Sequence, residues 1–303
     1  MIKKIVTALL VLGALASAHA QTNTGGVSIY GRVSTYYDND KVGALGSVNK
    51  ITDDVSRIGF RGQEDLGGGA RAYFQVETSL GLDTAPATSL GNRVGIVGLS
   101  NKLGGVELGR QHHSVWRTLV NYDPLGNLYG TTAASVHNAQ GNRFGNQVQV
   151  YATPFETVKA AYQKSFSEVP GGADGHSWQL EGKLGGVNAT VAGLDNGAGN
   201  TSTIYGAKYT VKATGTTLLA LYSEDKVGAV ETQGKTIGVN QRVAPNVVLL
   251  AGYGENQLVK SYAAGATYEL SKRTRINARY LNEDNVVAAK DRKQFGVGIE
   301  HVF

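Results

Sequence analysis

The chain has 303 residues, 41% hydrophobic and 17% charged, with 41 glycines, five prolines and no cysteine. That composition excludes a disordered polymer and a disulfide scaffold, and a formal charge of +5 is too small to argue for a nucleic-acid partner. A mean hydropathy of −0.18 gives no bulk argument for a helical membrane protein.

The first element is a leader. Lys3 and Lys4 precede an apolar run from Ile5 to Ala16, and Ala18-His19-Ala20 follows. A basic start, a short apolar stretch and an A-x-A site read as a secretory signal peptide. About 20 apolar residues are needed to span a bilayer, and this run is shorter. Cleavage is expected after Ala20, giving a signal peptide at 1–20 and one domain at 21–303. Export without cysteine leaves stability to packing and backbone pairing.

Past residue 20 no helical stretch of useful length appears. Apolar and polar residues alternate with a period of two, broken by turn residues at regular intervals. In 27–33, Val27, Ile29, Gly31 and Val33 form one face and Ser28, Tyr30 and Arg32 the other. In 70–78, Ala70, Ala72, Phe74 and Val76 oppose Arg71, Tyr73, Gln75 and Glu77. In 157–166, Val158, Ala160, Tyr162 and Phe166 oppose Lys159, Ala161 and Gln163. About sixteen such runs are expected, near 27–37, 51–62, 70–80, 92–100, 104–112, 143–152, 157–166, 176–184, 186–194, 202–211, 215–224, 233–242, 246–254, 258–269, 273–282 and 292–303.

The connections alternate in length. Ser100-Asn101-Lys102-Leu103, Gly185-Gly186 and Ser271-Lys272 are short; 38–50, 81–91, 167–175, 195–201, 225–231 and 283–291 are longer and polar. The connection 113–142 is far longer than the rest. Short turns at one rim and long loops at the other are the pattern of an all-β, 16-stranded antiparallel transmembrane β-barrel. Apolar faces poor in large aliphatics, set against faces carrying Arg, Lys, Glu and Gln, fit lipid outside and water inside. The 15 tyrosines fit interfacial girdles, although tyrosine also favours strands in general. A barrel this wide leaves room for an aqueous channel.

Alternation turns Arg32 and Arg93 into the lumen, with Arg61, Arg71, Lys159, Lys183, Arg273, Arg275 and Arg279 on the same parity. The acids counted there are Glu77, Glu181 and Glu300. Arg110 shares the outward parity of Val106 and Leu108, which places it at a rim or against a neighbouring subunit. His112, His113 and His137 lack a third ligand at sensible spacing, so neither a metal nor another cofactor is expected. No catalytic residues stand out. A barrel hydrolase would need a facing acid, base and nucleophile, and a soluble β-protein would extract without detergent.

Several blocks together resemble the general diffusion porins of Gram-negative outer membranes, in their betaproteobacterial form. They are "SIYGRVSTYY", "SRIGFRGQEDLGGGARAYFQVE", "NRVGIVGLSNKLGGVELGRQ" and "RFGNQVQVYATP", with the ending "FGVGIEHVF". The resemblance implies an outer-membrane location, contact with lipid and lipopolysaccharide, and a homotrimer. It implies passive diffusion of small ions and hydrophilic solutes, with a substrate-specific channel as the nearer rival. It makes Phe303 the terminal signal for the outer-membrane assembly machinery. It folds loop 113–142 inward as the third loop, although that loop lacks the family's usual acidic Pro-Glu-Phe-like stretch. By motif position Arg57, Arg93 and Arg143 become constriction arginines, joined by Arg32, with Glu77 on the acidic side. Asp123 in the loop is expected to face this basic wall, and the excess of positive lumen charge implies anion preference.

Overall fold

A computed structural model of the chain describes residues 26–84, 89–126 and 130–303. The expected leader, 1–20, lies outside the described residues. Sixteen antiparallel strands follow one another around a closed sheet. They are β1 Ser28–Val42, β2 in two segments Val48–Asp53 and Arg57–Gly67, β3 Ala70–Ser79, β4 Val94–Asn101, β5 Gly104–His112, β6 Arg143–Phe155, β7 Val158–Ser165, β8 Gly175–Leu184, β9 Val187–Asp195, β10 Thr201–Val211, β11 Thr216–Val227, β12 Val230–Ala244, β13 Val247–Glu255, β14 Val259–Glu269, β15 Thr274–Asn285 and β16 Arg292–Val302.

Each strand pairs with its sequence neighbour, and β1 pairs with β16 from Arg32↔Val302 to Val42↔Arg292. The closing pair leaves no sheet edge, as hydrocarbon surroundings require. The two faces separate as alternation demands. In β1, Arg32, Ser34, Asp38 and Asp40 are buried inside the barrel while Ile29 and Tyr37 stand exposed outside. Val97, Leu108, Val150, Leu180, Ile237 and Ile299 continue the outer apolar surface. No helix among the described residues is long and apolar enough to cross a membrane.

Three connections differ from expectation. Loop 225–231 is a tight hairpin: β11 runs to Val227 and β12 starts at Val230. The polar residues Glu224, Asp225 and Lys226 lie on paired strand, because an edge above the membrane tolerates them. Loop 38–50 is likewise trimmed to 43–47. The expected second strand, 51–62, is broken at 54–56, where Val55 takes a left-handed φ of 60°. The break is held by Ser34, whose carbonyl accepts from Asp54 N–H at 2.9 Å and from Ser56 Oγ at 3.1 Å.

The largest difference lies in 113–142. It contains α1, Ser114–Tyr122, and a single turn α2, Ala133–Val136, where no helix was expected. Val115, Leu119 and Tyr122 fall on one helical face, a spacing hidden by the surrounding two-residue pattern. That face packs on Ala192, Leu194, Ile204 and Leu221 of the inner wall. The main apolar core therefore lies inside the barrel, between loop and wall. Each of those three side chains contributes about 2 kcal/mol by burial. The wall makes room with glycine: a Cβ on Gly206 would lie 2.4 Å from the Tyr122 ring.

Candidate channel constriction

The loop lies against one side of the lumen. α1 contacts β8 to β11, and α2 contacts β12 to β14. Two histidines fix it. His113 caps α1, its Nδ1 accepting from Trp116 N–H at 3.2 Å, while its Nε2 sits 3.1 Å from the Gly141 carbonyl and donates to it. His137 bridges to the wall, with Nδ1 2.7 Å from Ser223 Oγ and Nε2 2.9 Å from Thr236 Oγ1. Burial holds both imidazoles neutral by pulling each pKa down to about 4.

The opposite wall, built mainly from β1 to β6, faces the loop across a cavity of about 840 Å³. Arg32, Arg57, Arg143 and Arg292 come from strands, Arg93 directly precedes β4, and Arg117 comes from α1. Asp53, Asp54 and Glu77 are the acids of this lining, so six guanidinium groups outnumber three carboxylates. The four arginines expected from sequence are thus brought together. Glu77 lies among them, 2.7 Å from Arg93 Nε and 3.5 Å from Arg57 Nε, and accepts from Tyr30 OH at 3.1 Å. Arg32 lies between Asp54, at 2.6 Å, and Glu300, at 3.1 Å.

Two of the six differ in their surroundings. Arg143 Nη2 lies 3.2 Å from His112 Nε2, and Arg117 Nη2 donates to Gln111 Oε1. Among the described residues neither has a carboxylate within salt-bridge distance. Guanidinium stays charged when crowded, so their field acts on the lumen rather than on a counter-charge.

Asp123 does not face this wall. It is buried at the end of α1, where its carboxylate accepts from Leu125 N–H at 3.0 Å and from the Thr131 hydroxyl. An acid that must satisfy two donors of its own turn cannot also point across the channel. Arg110 lies on the exposed outer surface and donates from Nε to the Asn92 carbonyl at 2.9 Å. Asn92 belongs to the long-loop rim, so Arg110 stands at that rim. Phe303 pairs with β1: its N–H donates to Gly31 O at 3.1 Å and its carbonyl accepts from Gly31 N–H at 3.0 Å.

Sequence reasoning undercounted the lumen charges. Asp38 and Asp40 lie on β1 within the stretch 38–50 expected to be a loop, Asp54 sits at the break in β2, and Arg117 lies in a helix. Glu107 and Arg292 follow parity and were legible: Glu107 lies between Val106 and Leu108, and Arg292 is in phase with Glu300. No group of His, Asp and Glu among the described residues could hold a metal ion.

A closed barrel with an apolar exterior, a charged lumen and a loop folded inside it defines a transmembrane channel barrel of the porin architecture. The chain belongs to the Gram-negative porin family, whose model matches residues 7–288. It is a multi-pass β-barrel of the outer membrane. It is 32% identical to outer membrane porin protein 32 of Delftia acidovorans over 182 residues, 55% of this chain and 50% of that protein. The chain thus spans about half the length of that curated relative. Among solved structures it resembles the anion-selective porin from Comamonas acidovorans, with a TM-score of 0.82, 22% identity, and coverage of 92% of this chain and 100% of that one. It also resembles the trimer form of OmpT from Vibrio cholerae, with a TM-score of 0.68, 13% identity, and coverage of 93% and 100%.

Proposed function

We propose that the barrel is a water-filled channel for passive diffusion of small hydrophilic solutes and ions, narrowed by loop 113–142 and preferring anions. One observation carries the reading: six arginines outnumber three acids around the space between loop and wall, and Arg117 and Arg143 have neutral partners. Such a lining raises the local concentration of anions and lowers that of cations. Size and the cost of leaving water exclude large or apolar solutes. The printed description of the Comamonas neighbour as anion-selective supports the preference, and the trimer form of the Vibrio neighbour supports a homotrimer of this chain. The apolar outer face would contact lipid, and residues 1–20 would direct export and be removed in its course.

Swelling of liposomes that contain the purified protein tests the channel itself. Uptake of neutral sugars is expected to fall steeply with solute size. Liposomes that fail to swell in the smallest sugar, with protein inserted, would refute the reading.

A further inference from the structure

Below the constriction the lumen carries a second basic site that the diffusion reading does not use. Arg61 lies four residues beyond Arg57 along β2, about 13 Å at a rise of 3.3 Å per residue. Arg61 and Arg71 line one cavity of about 550 Å³ together with Tyr73, Tyr151, Gln75 and Glu107. The cavity lies toward the short-turn rim, since β2 and β3 meet at 67–70. It shares only Gln75 with the constriction lining.

The two guanidinium groups are held by neutral neighbours. Arg61 donates from Nε to Ser28 Oγ at 3.4 Å and lies 5.1 Å from the centre of the Tyr30 ring. Arg71 donates from Nε to Ser100 Oγ at 2.9 Å and lies 6.0 Å from the Tyr73 ring centre. Neither forms a salt bridge among the described residues, and both are exposed to the lumen. The acid of the cavity, Glu107, already accepts from Tyr73 OH at 2.5 Å and from the amides of Gln111 and Gln149, each at 2.7 Å. Lys159 stands over the Tyr151 ring at 5.4 Å and adds positive charge nearby.

We infer that this cavity is a binding site for aromatic carboxylates, a second station on the short-turn side of the constriction. A carboxylate matches the forked donors of Arg61 or Arg71, and the solute's ring finds guanidinium faces and tyrosine edges beside it. A simple halide gains only the general field. An aliphatic carboxylate gains the fork and lacks the ring. The inference rests on the proposed channel, which the same recording tests independently through its open current.

The experiment is block of single-channel current in a planar bilayer by benzoate, acetate and chloride added to the short-turn side. Benzoate is expected to block in a saturable way, with acetate and chloride much weaker. Exchanging both arginines, Arg61→Gln with Arg71→Gln, should raise the half-blocking benzoate concentration about tenfold, as expected for loss of a charge-assisted contact. Chloride-over-potassium preference should stay, because the constriction arginines are untouched. The pair Arg61→Lys with Arg71→Lys keeps the charge and loses the planar fork, and should also weaken block. Equal block by benzoate and acetate, or full block in the Lys pair, would overturn the site and leave only a general field. If a double variant does not refold, each single Gln variant is expected to raise the half-blocking concentration by about threefold, and unchanged values there overturn it as well. A protein without open current would instead refute the channel.

Discussion

Arg93 Nε lies 2.7 Å from Glu77 Oε1, and the other oxygen of the same carboxylate lies 3.5 Å from Arg57 Nε. One acid on β3 therefore partly neutralises two of the arginines that line the passage. Glu77→Gln keeps the shape and the acceptor oxygen and removes the charge. At about 8 Å in water one unit charge shifts an ion's energy by about 0.5 kcal/mol. The variant is expected to raise the anion-to-cation permeability ratio roughly two- to fivefold, since the two ion types respond in opposite senses. Reversal potentials of variant and parent, recorded side by side, check this.

Arg143→Gln should do the reverse. Its guanidinium has a histidine rather than a carboxylate as partner, so its removal exposes no stranded acid. Anion preference should fall by a similar factor in 0.1 M salt and by much less in 1 M salt. The Debye length shrinks from about 10 Å to about 3 Å between the two. A difference that persists unchanged at 1 M would point to a direct binding role for Arg143 instead.

The strand count, the two faces and the closing pair were legible because hydrocarbon outside and water inside impose a period of two on every strand. Motif and parity both point to Arg32 and Arg93, motif position alone to Arg57 and Arg143, and parity to Glu77; the fold gathers these five side chains around one cavity. Asp123 was misread because an acid in an inward loop has two possible uses, and the demand of the Leu125 N–H and the Thr131 hydroxyl is invisible without the turn's shape. α1 was missed because its apolar face meets the barrel's own inner wall, not a separate core. β1 runs on through Asp38 and Asp40 to Val42, because charged residues at a rim do not mark the end of a strand.

Asp123→Ala should therefore act on the loop and leave the charge of the passage almost unchanged. Loss of two accepted hydrogen bonds at a buried turn costs about 1–3 kcal/mol. The expected result is noisier, less uniform single-channel conductance with ion preference nearly that of the parent. A large rise in anion preference, of the kind expected for Glu77→Gln, would restore Asp123 to the channel face.

The loop's attachment should depend on pH through His113 and His137. Both have folded pKa values near 4, below the ordinary 6.5. The detached state then binds more protons between these values, so stability rises with pH there. Attachment is complete above about pH 6.5 and is lost progressively as pH falls toward 4. For His137 the full difference is about 3 kcal/mol. Protonation also removes the Nδ1 acceptor with which His113 caps α1. Protease cleavage within 113–142 is expected to appear near pH 4 and not at pH 7. His137→Gln, which keeps polar contacts and cannot titrate, should flatten part of the dependence.

Closure of the barrel depends on Gly31. A Cβ there would lie 2.4 Å from the Phe303 ring and 2.6 Å from the Arg57 carbonyl. Gly31→Ala should weaken the β1–β16 seam by about 1–3 kcal/mol through overpacking. The check is the temperature at which the folded barrel converts to the unfolded form on a gel, expected to fall. Gly31→Ala combined with Phe303→Leu should recover part of the loss by freeing the ring's space.

The central claim is that excess arginine faces an open aqueous path. The zero-current potential of the purified protein in a planar bilayer, under a tenfold potassium chloride gradient at low total salt, tests it most directly. The sign that marks chloride as the more permeant ion is predicted. A potential of the opposite sign, with potassium preferred, would contradict the account.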